Sequence, residues 1–280
     1  MYAQRVASRT AETTEVDSLR ASVARVARRQ GRLSIRYGLP AEAGWLRCDD
    51  LLASEAELDR WRYRLGEWLL AEHGEAPART VAGFLMSWYL YLPAFTGALL
   101  LHHERRVPSL DPAHLAYRLS GDRPYPDGAA LLGRSFYCLP SDPAAGTPDA
   151  TVVADERALA AVFRARYIAH AARFVRAFRP GSPLGHHTLW AGATDALDTS
   201  LWLAGREGGD EGAGVADAAL VLASKFAPLT SASTLRMSGG EWTRRRESCC
   251  FNYVLPGQSE CDSCPRICPR PNSTGSTAMR

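Results

Sequence analysis

The sequence predicts a helix-dominated α+β fold with a small sheet and a cysteine-rich C-terminal segment. Three observations carry this. Long stretches place apolar residues at helical spacing between clear start and stop signals. The strand-like runs are short and scattered. Five of the seven cysteines fall within "SCCFNYVLPGQSECDSCPRICP", residues 248 to 269. A chain of 280 residues with 46% hydrophobic and 22% charged residues can bury a substantial core, which excludes a disordered polymer. Residues 1–235 read as a helix-rich body and 236–280 as a separate C-terminal segment.

Helical periodicity first appears in Val16 to Arg29. The next helix, "SEAELDRWRYRLGEWLLAEHG" at 54 to 74, opens on Ser54 with Glu57 completing a capping box, and stops at Gly74. "TVAGFLMSWYLYLPAFTGALLL", residues 80 to 101, has no charge and is long enough to span a bilayer. Its aromatic residues sit mid-segment, however, and Pro93 should break the helix near its centre, so a buried core helix is expected rather than a membrane span. Residues 155 to 179 open with Asp155 and end before Pro180 and Gly181, with Leu159, Phe163, Tyr167, Phe174 and Phe178 able to share one face. Three to four further helices are expected in 183–235, beginning with "SPLGHHTLWAGATDALDTSLWLAG".

Strands are predicted at "LSIRYG", "SFYCLP", "TVVA" and, inside the cysteine segment, "FNYVLP". Residues 121–128 and 140–149 read as loops, and the tail "PNSTGSTAMR" as disordered. Cys48 and Cys138 stand apart from the cluster and read as buried structural thiols.

The first thirty residues lack the apolar core of a secretory signal, so a cytoplasmic location is expected. In a reducing compartment, clustered cysteines are metal ligands before they are disulfides. The whole formal charge excess lies beside them. Residues 236–280 hold seven arginines and four acids, while the rest has 26 basic and 26 acidic residues. That surface is too small to imply nucleic acid, but it suits an acidic partner or offsets thiolate charge.

Cys249 and Cys250 are adjacent, ten residues precede Cys261, and two more separate it from Cys264. The CxxC turn presents two thiolates to one centre, and the ten-residue connection can bring the vicinal pair alongside. Zinc would make this a closed structural site in a non-redox binding or interaction protein. Adjacent cysteines diverge, which suits a larger iron-sulfur cluster better. A reactive thiol pair is the third possibility.

The run "RRRESCCFNYVLPGQSECDSCP" resembles the C-terminal signature of the FhuF-type ferric-siderophore reductases, CCx10CxxC. "TLWAGATDAL" at 188–197 is similar to a Trp-containing helical segment of that family. The resemblance implies a [2Fe-2S] cluster on Cys249, Cys250, Cys261 and Cys264. Cys268 departs from the four-cysteine pattern as a bystander, a substitute ligand or an oxidisable thiol, and reads first as a bystander because four ligands complete the centre. It implies an oxidoreductase that delivers one electron to a ferric siderophore and releases Fe2+. Oxygen ligands that grip Fe3+ hold Fe2+ far less tightly, so reduction is a release mechanism. Lys225 is the only lysine, an arginine bias of GC-rich, actinobacterial type, where hydroxamate siderophores are common.

The resemblance also implies that another component recharges the cluster, and since no GxGxxG follows a strand the expected source is an external donor such as a ferredoxin, or a ferredoxin or flavin reductase. Trp242, Arg244, Arg245 and Arg246 are candidate substrate contacts in an aromatic and arginine-lined cleft, with His186 and His187 as further candidates. Trp190 and Trp202 read as ordinary helix packing. His102 and His103 form a helix-end pair that would favour protonation.

Overall fold

The computed structural model describes residues 18–267; Cys268 and the tail lie outside them, as does the start of the Val16–Arg29 helix. The first half contains α1 (Leu19–Ala27), β1 (Ser34–Tyr37), β2 (Trp45–Arg47), α2 (Cys48–Ala53), α3 (Glu55–His73) and α4 (Ala78–Glu104). Five short strands follow: β3 (Arg106–Pro108), β4 (Leu115–Leu119), β5 (Pro126–Leu131), β6 (Phe136–Cys138) and β7 (Ala150–Val152). Three helices come next, α5 (Glu156–Phe178), α6 (His186–Glu207) and α7 (Glu211–Val221), then the strands β8 (Arg236–Ser238) and β9 (Glu241–Thr243). The fold is α+β.

Local chemistry sets the helix ends. Ser54 Oγ accepts from the amide of Glu57, and Gly74 closes α3 at φ 75°. The expected capping box is only half formed, because the Glu57 carboxylate turns to Arg60 rather than back to the start of the helix. Asp155 caps α5 through the Ala158 amide at 2.8 Å.

α4 is the spine. It is apolar enough to cross a membrane, yet 78% of its most apolar stretch is buried inside the protein. Contrary to expectation, Pro93 does not end it. A proline inside a helix costs about 3 kcal/mol, and here burial of Leu90, Leu92, Ala94 and Phe95 on both sides outweighs that.

The small sheet is in fact three. The first has order β1-β5-β4-β2, with β1 and β5 parallel and the other pairs antiparallel. The second is β3-β6-β7, and the third is the β8–β9 hairpin. Gly239 and Gly240, both at positive φ, make the two-residue turn of that hairpin. β5 starts inside what reads as a loop, since "PDGAAL" has turn composition, but it is buried between β1 and β4. "FNYVLP" is not a strand: Phe251 has φ 59° and a 3-10 turn follows over Asn252–Val254. Only two helices, α6 and α7, occupy 183–235.

Cys48 and Cys138 are buried, as expected. Burial pushes the Cys48 thiol up to about 12. Trp190 is likewise buried, while Trp202 donates to Glu211 at 2.6 Å. The His102–His103 pair departs from expectation. His102 bonds Asp217 at 2.7 Å, and burial, aided by neighbouring His102, lowers His103 to about 4, so His103 is neutral at pH 7.

Two predictions follow from the packing. α6 and α7 meet at Gly205 and Gly214, where a Cβ on Gly205 would come within 2.4 Å of the Asp210 carbonyl oxygen and 2.5 Å of the Gly214 nitrogen. Gly205→Ala should therefore destabilise by about 1–3 kcal/mol in urea unfolding.

The second concerns His170, buried between the Leu110 carbonyl at 2.6 Å and the Tyr89 hydroxyl at 2.9 Å. Burial lowers its pKa from 6.5 to about 4. Below pH 6.5 the unfolded chain binds a proton there that the folded chain refuses, so stability is full above that pH and lost as pH falls towards 4. Urea midpoints at pH 7 and pH 5 should show His170→Gln losing about 2 kcal/mol less over this interval than the parent.

Candidate metal centre

α6 presents Thr194, Asp195 and Asp198 to the chain that follows α7, at a spacing that puts the first two a turn below the third. Each holds a different part of that chain. The Thr230 amide donates to Thr194 Oγ1 at 2.9 Å. Asp198 accepts from the Ser233 hydroxyl at 2.6 Å and the Thr234 amide at 3.0 Å. Burial raises the Asp198 pKa against the lowering effect of these bonds. Thr234 Oγ1 in turn donates to the Arg245 carbonyl at 2.7 Å.

Asp195 holds the last two residues before the vicinal cysteines. Its carboxylate accepts from the amides of Glu247 and Ser248, each at 2.8 Å, and from the Ser248 hydroxyl at 2.6 Å. Arg244 approaches the same carboxylate at 3.4 Å and Arg246 at 3.8 Å. Cys249 and Cys250 thus leave a backbone fixed by a buried anion.

α4 is the second support. Thr80 Oγ1 donates to the Phe251 carbonyl at 3.2 Å, and Arg79 lies over the Phe251 ring. Gly83 lets the Cys250 backbone come down on the helix, since a Cβ there would sit 3.0 Å from the Cys250 carbonyl oxygen. The Phe251 amide donates to Cys249 Sγ at 3.3 Å. The CxxC turn is closed by the Cys264 amide on the Cys261 carbonyl at 2.8 Å, and is tied back to the arginine run by the Arg246 amide on the Ser263 carbonyl at 2.9 Å.

These contacts bring the four thiols into one region. Cys249 is in side-chain contact with Cys264, and its thiol is pushed up to about 11, chiefly by burial. The Arg246 guanidinium is in hydrogen-bond contact with Cys261 and within electrostatic reach of Cys250. Among the described residues, no group of three or more His, Cys, Asp or Glu side chains is placed to hold a single metal ion. The donor chemistry fits a [2Fe-2S] cluster: four thiolates would hold it, the Phe251 amide already donates to Cys249 Sγ, and Arg244 and Arg246 would offset its negative charge.

Residues 246–266 match the family model of the FhuF 2Fe-2S C-terminal domain. Over these residues the chain is similar to a FhuF-type [2Fe-2S] domain. No curated protein matches the chain as a relative.

A cavity of about 270 Å³ adjoins the FhuF-type segment. Trp88, Tyr91 and Tyr125 form its aromatic side, and Arg32, Arg244 and Arg246 its cationic side. Arg123 lies 4.8 Å above the Trp88 ring and stiffens the aromatic wall from behind. Arg32 is paired with Glu207 at 2.6 Å, whereas Thr199 Oγ1 and Arg246 Nε are buried with no hydrogen-bond partner among the described residues.

The candidate substrate contacts from sequence separate here. Arg244 and Arg246 line the cavity. Arg245 does not: it pairs with Glu247 at 2.7 Å and lines a different cavity with residues 230–236. Trp242 lies on β9 opposite Met237, outside the cavity lining. His186 accepts from Trp190 Nε1 at 3.1 Å and is exposed, as is His187, and neither lines the cavity. Sequence reasoning missed Asp195 and Asp198, although both lie in or beside "TLWAGATDAL", and missed Arg32, Trp88 and Tyr91 altogether.

Asp195→Ala should leave two amides, a hydroxyl and two arginines without their anion, while Asp195→Asn keeps one acceptor oxygen. Iron and sulfide analysis after anaerobic purification should show the alanine variant retaining less than half the parental cluster, and the asparagine variant an intermediate amount.

Proposed function

We propose that this protein reduces a ferric siderophore, of hydroxamate type, in the cytoplasm and releases Fe2+. One electron added to the chelated Fe3+ gives Fe2+, which the same oxygen ligands hold far less tightly, so the metal leaves and the chelator is regenerated. A [2Fe-2S] cluster bound at Cys249, Cys250, Cys261 and Cys264 supplies that electron.

The observation that carries the reading is the position of Arg246. Its guanidinium stands in the wall of the cavity and in hydrogen-bond contact with Cys261 of a segment that matches the FhuF 2Fe-2S model. A ligand held there is one side chain away from the thiols. The cavity also suits the ligand class. Asp195 is saturated by donors of the protein itself, so the lining offers mainly donors, from Arg244, Arg246 and Thr199, beside aromatic faces. That pattern accepts a chelate rich in oxygen acceptors. At about 270 Å³ the cavity takes one arm of such a chelate and leaves the rest across its mouth.

The electron source is an external donor, a ferredoxin or a ferredoxin or flavin reductase, drawn to the basic C-terminal segment by opposite charge.

Anaerobic purification with absorption, iron, sulfide and zinc analysis on one sample tests the cofactor, with about two irons and two sulfides per chain expected. Mixing the reduced protein with a ferric trihydroxamate and trapping Fe2+ with a ferrous chelator tests the reaction. A colourless protein with one zinc per chain, or a reduced protein that leaves the ferric chelate untouched, overturns the proposal.

A further inference from the structure

Arg246 has two claims on it. On one side its guanidinium meets the Cys261 thiol, with Cys250 within electrostatic reach, and on the other it lines the cavity with Trp88, Tyr91 and Arg244. Its side chain is only 16% exposed, and the nearest carboxylate, Asp195, is 3.8 Å away and already holds two amides and a hydroxyl. The backbone on either side is fixed, by the Ser263 carbonyl behind the Arg246 amide and by Asp195 behind Glu247 and Ser248. The guanidinium therefore cannot leave the interface, only divide its donors between sulfur and ligand.

Hydrogen bonds and positive charge at the sulfurs of an iron-sulfur centre raise its potential, because they favour the more negative, reduced form. Acceptor oxygens arriving in the cavity compete for the same donors. We propose that Arg246 couples the cavity to the metal centre, so that filling the cavity with an oxygen-rich chelate lowers the reduction potential of the protein. By linkage, the chelate must bind the oxidised protein more tightly than the reduced one by the corresponding factor. The empty protein is then easily recharged and holds its electron, while the loaded protein becomes the stronger reductant. This rests on the siderophore reading of the cavity, and deepens it.

A redox-inert probe isolates the coupling: the gallium(III) complex of a trihydroxamate has the shape of the ferric chelate but takes no electron. Spectroelectrochemical titration of the holoprotein, with and without saturating gallium complex, should show the potential falling by at least about 59 mV, the one-electron equivalent of a tenfold affinity ratio. Quenching of Trp88 fluorescence should report that ratio independently, with the gallium complex bound at least tenfold more tightly by the oxidised than by the dithionite-reduced protein. Arg246→Gln should bind the complex with less than a third of the wild-type shift. Because that variant can lose its cluster, Arg246→Lys is measured beside it, and should lose much of the shift because it lacks the planar donor set that can divide between sulfur and ligand.

Equal potentials at saturating gallium complex, or equal affinities in the two redox states, overturn the coupling. If the ferric chelate is still reduced in that case, the reductase reading stands and only the role of Arg246 falls. If the gallium complex fails to bind and the ferric chelate is not reduced, both fall.

Discussion

A carboxylate with no water around it must be matched by donors, and Asp195 is matched almost entirely by the segment that carries the cysteines. Two backbone amides and a hydroxyl converge on it at 2.6 to 2.8 Å from Glu247 and Ser248. Charge-assisted bonds of this kind are stronger than neutral ones, and removing one partner strands the others in a low dielectric. The consequence is positional. Backbone fixed at Ser248 fixes the exit of Cys249 and Cys250, and the approach of Arg244 and Arg246 to the same carboxylate sets two cations in the cavity wall beside the cysteine segment.

That clamp works because α4 and α6 lie close together beneath it. Gly192 on α6 faces Met86 on α4, where a Cβ would come within 2.6 Å of the methionine methyl. One turn earlier on α4, Gly83 receives the Cys250 carbonyl and Thr80 receives that of Phe251. Small residues at both places bring the three backbones together, and apolar burial along α4 supplies the rigidity. The unusual hydrophobicity of α4 thus serves the site as much as the core.

The helices were legible because their signals are local: Ser54, Gly74 and Asp155 act within one turn. The cysteine spacing was equally legible, since CCx10CxxC is a sequence pattern. Strands of three residues such as β2 and β3 are set by pairing with distant partners, and β5 carries turn residues into a buried sheet, so neither announces itself. "FNYVLP" failed for a related reason. Its alternating apolar residues suit a strand, but Phe251 is pinned by Thr80, 171 positions away, into a left-handed turn. Asp195 sat in plain view inside "TLWAGATDAL" as an acid on an apolar helix, and its partners lie 52 and 53 residues downstream. The signal that could have found it was its oddity: a buried helix face seldom carries two aspartates without donors to meet them.

The choice of arginine at positions 244 and 246 follows from the same electrostatics. Their side chains are only 11% and 16% exposed, and burial lowers Arg244 from its ordinary value. An arginine so treated stays protonated at neutral pH, whereas a lysine in its place could shed its proton and leave Asp195 and the thiolates uncompensated. Asp195 acts on both arginines and Asp198 on Arg244, and the same guanidiniums also reach the cysteine thiols, where thiolates would add to their stabilisation. Binding a metal centre would ionise the four thiols, including Cys249, whose pKa burial raises to about 11. The arginines and the thiolates therefore stabilise each other only when both are charged, which makes assembly of the centre and closure of this part of the fold one event rather than two.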